Sequence, residues 1–218
     1  MKNNALSKIK HEIQNLAIVG KGVFNVALDN LTFGAWSESE KVFAEIHARN
    51  KKRDFDLFLW GIHQHSKDIS VSDILLKLQN KEFDRHVASI IDAVFFSRSD
   101  TCLLTLAIIA NKEMFQQNCD YMDLMLVSHL RNCLDCDLEL FGELHSNVNN
   151  PNYTLIADNN TDAWKVESFI KLETMSFISR QPTIGSLTNS RDPLGCRYVP
   201  TALSDRLFQY ISLTHEFI

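Results

Sequence analysis

"TCLLTLAIIA", residues 101–110, restricts the fold more than any other stretch. It is apolar on nearly every side and has no polar stripe to show to water. Strands and fully buried helices both produce such runs. Ala107, Ala110 and the "NKEMF" that follows favour a buried central helix. A helix buried all round needs apolar faces around it, and the flanking sequence supplies them. Phe83, Val87, Ile90, Ile91 and Val94 fall at i, i+4, i+7, i+8 and i+11, a clear amphipathic pattern. Val42, Phe43 and Ile46, then Phe55, Phe58, Leu59 and Ile62, form an earlier stripe. Ser37 can cap that helix, with Glu38 and Glu40 in its first turn. "SRSD", 97–100, breaks and recaps the chain, and helices are expected at about 121–132 and 136–146.

The pattern changes after "HSNVNNPNYT", 145–154, which is rich in turn formers and reads as a linker. Asp158 to Thr161 can cap a helix carrying Trp164, Val166, Phe169, Ile170 and Leu172. "FISRQPTIGSLTNSRDPLGCRYVPT" then reads as a short strand, a polar loop and a second short strand. "ALSDRLFQYISL", 202–213, returns to helix with Leu203, Leu207, Tyr210 and Ile211 inward. Helix, hairpin, helix is the outline of a winged-helix module. The expected fold is therefore mainly α: a helical bundle followed by a winged-helix-like module with a small antiparallel β-hairpin. Its divisions are an N-terminal packing arm (1–36), an α-helical domain (37–148) and the module (149–218).

Two sets of residues carry a resemblance. "LETMSFISR" and "RYVPTALSDRLFQYI" resemble the closing part of bacterial winged-helix domains, matching at Leu172, Glu173, Met175, Phe177, Ile178, Tyr198, Thr201 and Leu203. Ser176 and Ser204 stand where that pattern has glycine, so these two turns depart from it. "VALDNLTFG", "KEFDRHVASIIDAVFFSRSDTCLLTLAIIAN" and the helices beyond resemble an uncharacterised family of bacterial and prophage proteins. Some members of that family are labelled α-helical abortive-infection proteins. Ser97–Ser99 and Asn111 are the sharpest points of this second likeness. It implies a phage-conflict or prophage-maintenance context, and no functional residue is carried over from it.

Charge bears on the partner. The chain of 218 residues has a formal net charge of −5, so no whole-protein field draws it to nucleic acid. Residues 111–148 set Glu113, Asp120, Asp123, Asp135, Asp137, Glu139 and Glu143 against Lys112 and Arg131, a poor surface for phosphates. If the winged-helix outline bound DNA, its candidate contacts would be Lys165 and Lys171 on the recognition helix and Arg180, Arg191 and Arg197 on the wing. Six basic residues in that module face seven acids, which favours protein contact over DNA. The basic run "RNKKRD", 49–54, reads as a solvated face.

No stretch reads as a secretory leader or a spanning helix, which points to the cytoplasm and to no integral membrane segment. Residues 15–36 read mainly as packing, with peripheral membrane contact as the alternative.

The one stretch that suggests chemistry is "RNCLDCDLELFGELH", 131–145. On a continuous helix His129, Cys133 and Cys136 would share a face at i, i+4 and i+7, with Cys119 as a fourth zinc ligand. The neighbouring core positions favour buried reduced thiols instead, and Asp135 can cap a new helix between the two cysteines. "HQH", 63–65, reads as a helix end. Phosphate-loop, nucleophile-elbow and H-E-x-x-H motifs are absent. The expectation is a non-enzymatic interaction protein with no catalytic residues, metal or cofactor. Its partner is a protein, a second copy of the chain included. DNA binding through the module and membrane contact through 15–36 are the alternatives.

Overall fold

The structure, a computed structural model, describes residues 38–66, 69–70, 73–74, 76–77, 85–116, 118–150, 163–181 and 197–215. The arm at 1–36 and its membrane reading, the Ser37 cap, Phe83, and the 182–196 segment with Arg191 and Cys196 lie outside the described residues. So do residues 151–162, which hold the end of the linker and the Asp158–Thr161 cap. The elements are α1 (Glu38–His65), α2 (Arg85–Phe96), α3 (Asp100–Asn111), a π-helical turn (Lys112–Gln116), α4 (Tyr121–Leu130) and α5 (Asp135–Ser146). They continue with α6 (Ala163–Thr174), β1 (Ile178–Gln181), β2 (Arg197–Pro200) and α7 (Ala202–His215). The described part of the chain is mainly helical, with two short antiparallel strands paired from Ile178 opposite Pro200 to Gln181 opposite Arg197.

The apolar run forms α3, and every residue from Cys102 to Asn111 is buried. Helix α1 makes the most extensive contact with it. Gly61 permits that approach, because a Cβ there would lie 2.7 Å from the Ala107 Cβ. Phe55, Phe58, Leu59 and Ile62 are buried as expected, whereas Ile46, placed on the same stripe, is about half exposed. The basic run does not interrupt α1, which continues through it for 28 residues.

The terminal groups of a largely buried helix need partners. Ser99 caps α3, accepting the Cys102 amide at 3.1 Å and donating to Asp135 at 2.5 Å. At the other end the Asn111 amide donates to the Ile62 carbonyl and to Ser66. Ser99 and Asn111 are thus the two polar ends of the central helix.

The four inward residues expected in α7 are all buried. Phe169, Leu172, Phe177 and Leu207 enter the same apolar cluster as α1–α5.

The two serines at glycine positions do opposite things. Ser176 has φ 59°, in the left-handed region. The Phe177 amide bonds to Leu172 O and the Ser176 amide to Glu173 O, both at 2.9 Å, which closes α6 with a Schellman motif. A non-glycine residue there costs about 1 kcal/mol. Ser204 instead completes a reciprocal cap with Thr201. Its hydroxyl accepts the Thr201 amide at 3.0 Å, and its own amide donates to the Thr201 hydroxyl at 3.1 Å. The Ser204 hydroxyl also donates to the Phe177 carbonyl, tying α7 to the start of the hairpin. In urea denaturation, Ser176→Gly should therefore raise stability by about 1 kcal/mol. Ser204→Ala should lower it by about 1–2 kcal/mol.

Candidate functional site

Two buried carboxylates organise the surfaces available for binding. Asp120 caps α4, and Asp123, at the third helical position, returns the bond to the Asp120 amide. Asp123 is wholly buried. Its Oδ2 also accepts Lys112 Nζ at 2.7 Å. Its Oδ1 accepts the Tyr210 hydroxyl at 2.6 Å and an Arg206 nitrogen at 3.0 Å. Lys112 bonds to Tyr210 as well, and Arg206 reaches Asp120. In α5 the same position holds Asp137, 2% exposed. It accepts the Leu134 amide at 2.8 Å, the Ser168 hydroxyl at 2.6 Å and Lys171 Nζ. Each helix start therefore presents a carboxylate inward, and α7 and α6 bring the cations to it.

The ionisation of this network follows from its contacts. Burial opposes the Lys112 charge, but the bonds to Asp123 and Tyr210 outweigh it and raise its pKa. Burial, then the bond to Asp123, pushes the Tyr210 phenol upward. The bond to Tyr210 leads in holding the Arg206 pKa above its ordinary value.

These contacts place three of the five residues considered for nucleic acid. Lys171 is paired with the buried Asp137, and Lys165 lies 3.9 Å from Glu143, so both turn toward α5. Arg180 grips Glu173 through two bonds, at 2.6 and 2.5 Å. Arg197 lies in β2, but its side chain, like Arg191, is outside the described residues. The exposed positions of α6 are Ala163, Trp164, Glu167, Ile170 and Thr174. Trp164 is 40% and Ile170 43% exposed. The outer face of this helix is thus aromatic, aliphatic and acidic.

A second aromatic surface lies at the end of α2. Phe96 is 53% exposed. The Arg131 guanidinium stacks 3.9 Å from its ring centre, and Lys51 of the basic run lies 5.8 Å away. Arg53, from the same run, binds Asp54 and Asp100. Lys52 binds Asp56, so two cations of the run are paired with carboxylates and it is not a free cationic strip.

The cysteines do not gather as a zinc set. Helix α4 ends at Leu130 and α5 starts at Asp135, so His129, Cys133 and Cys136 do not share one helix face. Leu134 occupies the cap position of α5, and Asp137 rather than Asp135 bonds back to it. Cys133 is buried, as expected, while Cys136 is only partly so. The Cys119 thiol donates to the Ile109 carbonyl, and burial pushes its pKa up to about 12. Among the described residues, no group of three or more His, Cys, Asp or Glu is placed to hold a metal ion. His63 of "HQH" lies at the end of α1, bonded to Ile69 O at 3.1 Å. His145 stacks on Phe208 at 4.0 Å and lies 3.3 Å from the exposed Asp205, beside a shallow cleft formed with Tyr198 and Pro200.

The sequence reading took Asp123 and Asp137 for surface charge. The available signal was spacing: Asp120-x-x-Asp123 is a reciprocal cap, and Asp137 follows a helix break by the same interval. No helix among the described residues is long and apolar enough to cross a membrane. No family model, curated protein or solved structure matches the chain.

Asp123→Ala should destabilise the protein by about 3 kcal/mol, because it leaves paired, partly buried cations without their anion. The pH dependence has a defined sign. The Tyr210 phenol ionises above its ordinary 10.0 and Lys112 loses its proton above its ordinary 10.5, so their stabilisation is complete at neutral pH. It is lost as pH rises through the raised values. Urea midpoints should fall above pH 10, and Tyr210→Phe should remove part of that fall.

Proposed function

We propose that the chain is a non-enzymatic interaction protein that binds a protein partner through the outer face of α6. The observation that carries this reading is the distribution of charge on that helix. Lys165 and Lys171 are paired with carboxylates of α5, while Trp164 and Ile170 face solvent beside Glu167. A winged-helix reading of α6, the hairpin and α7 would make α6 the recognition helix. A DNA-binding helix there would turn cations outward to contact phosphates. An exposed tryptophan with an aliphatic neighbour suits the buried centre of a protein interface. Arg131 stacked on Phe96 is a second surface of similar chemistry. The resemblance to α-helical abortive-infection proteins puts such contact in a phage or prophage context in the cytoplasm.

The test is affinity purification from the native host, with and without phage challenge, followed by reconstitution with the purified partner. Trp164→Ala combined with Ile170→Asp should weaken that complex at least tenfold without changing the melting temperature. Phe96→Ala in parallel reports on the second surface. Binding that survives the α6 double variant would overturn the assignment. A salt-sensitive gel shift lost on Lys165→Glu or Arg191→Glu would favour the DNA alternative instead.

A further inference from the structure

Two faces of the chain carry opposite charge around exposed aromatic and aliphatic side chains. The first lies where two turns meet. The Ser99–Asp135 bond ties the turn after α2 to the start of α5. Phe96 closes α2 and Leu134 precedes α5, and they are 53% and 41% exposed. Arg131 stacks on Phe96, Lys51 lies 5.8 Å from the same ring, and the exposed Arg98 follows it by two residues. Three acids share this corner, and each is engaged: Asp54 and Asp100 by Arg53, Asp135 by Ser99. Among the described residues, Lys51, Arg98 and Arg131 have no carboxylate at ion-pair distance. The second face is the outer side of α5 and α6. The two helices run antiparallel, since Lys165 lies toward Glu143 and Lys171 binds Asp137. Trp164 and Ile170 are exposed there, together with Glu139, Glu143 and Glu167. Among the described residues, Glu139 and Glu167 have no cation at ion-pair distance.

We propose, resting on the α6 reading above, that the protein partner is a second copy of this chain. The acidic, aromatic outer face of α5 and α6 docks on the cationic Phe96 corner of the next molecule. Charge complementarity carries the match. Glu139 and Glu167 supply the carboxylates that Lys51, Arg98 and Arg131 lack within their own chain. Trp164 offers a ring face to the same cations. Ile170 and Leu134 supply apolar contact inside a polar rim. Two-fold pairing of like faces is disfavoured, because it would set acid against acid at α5 and α6, or cation against cation at Phe96. The contact is therefore heterologous, and copies add head to tail.

The test is sedimentation velocity of the purified full chain at low salt, from micromolar to near-millimolar concentration. The weight-average sedimentation coefficient should rise with concentration and fall back as salt is raised. Trp164→Ala combined with Ile170→Asp should weaken association about tenfold or more, and so should Arg131→Glu, each while folded by circular dichroism. Mixed in equal amounts, these two variants should form a complex of two chains and no larger, because each retains the face that the other has lost. Should either variant lose its fold, Glu167→Lys and Arg98→Glu, both at exposed positions, repeat the two losses. A chain that stays monomeric throughout overturns this inference and leaves the α6 reading to its own test with a captured partner. Association that survives either variant, or variants that do not pair when mixed, also overturns it.

Discussion

A carboxylate buried beneath the first turn of a helix must be met by donors, or the helix cannot pack there. This chain imposes that condition twice, at Asp123 and at Asp137. Half of each solution is local, since the carboxylate accepts the amide of its own cap residue. The other half comes mainly from the C-terminal segment: Arg206 and Tyr210 from α7, and Ser168 and Lys171 from α6. The apolar core supplies the non-directional attraction between these parts. The two aspartates fix which faces of α6 and α7 turn inward.

That orientation links the interior to the outer surface. Once Lys171 is directed to Asp137 and Lys165 toward Glu143, α6 can present only its remaining side, with Trp164, Glu167, Ile170 and Thr174. In β1, Arg180 is likewise held by Glu173. Cations that would contact phosphates in a nucleic-acid-binding helix are engaged within the protein, and side chains suited to a protein interface face outward.

The sequence made the apolar skeleton readable. An apolar run such as 101–110 has no polar stripe to show to water, so its burial followed from its composition. The stripes on α2 and α7 followed from their period. The order helix, strand, strand, helix was legible from turn residues between short apolar runs. Pairings between distant residues were not legible. Asp123 looks like its acidic neighbours until Lys112, Arg206 and Tyr210 are known to converge on it. Cys133 was read beside Cys136 because they are close in sequence, whereas the helix break at 131–134 turns it toward Met175. The outer face of α6 was hidden for the same reason. Trp164, Val166, Phe169, Ile170 and Leu172 are all apolar residues of this helix, and only the packing of Phe169 and Leu172 decides which side is buried.

The most direct test of the central role of these carboxylates is a double-mutant cycle between Asp137 and Lys171, with unfolding free energies from urea titration. Asp137→Asn, Lys171→Met and the double variant separate the pairing from the burial of each side chain. A coupling of about 2 kcal/mol or more is expected for a pair in which one partner is buried. Additivity to within about 0.5 kcal/mol would contradict the account, because the cations of α6 would then be free to turn outward.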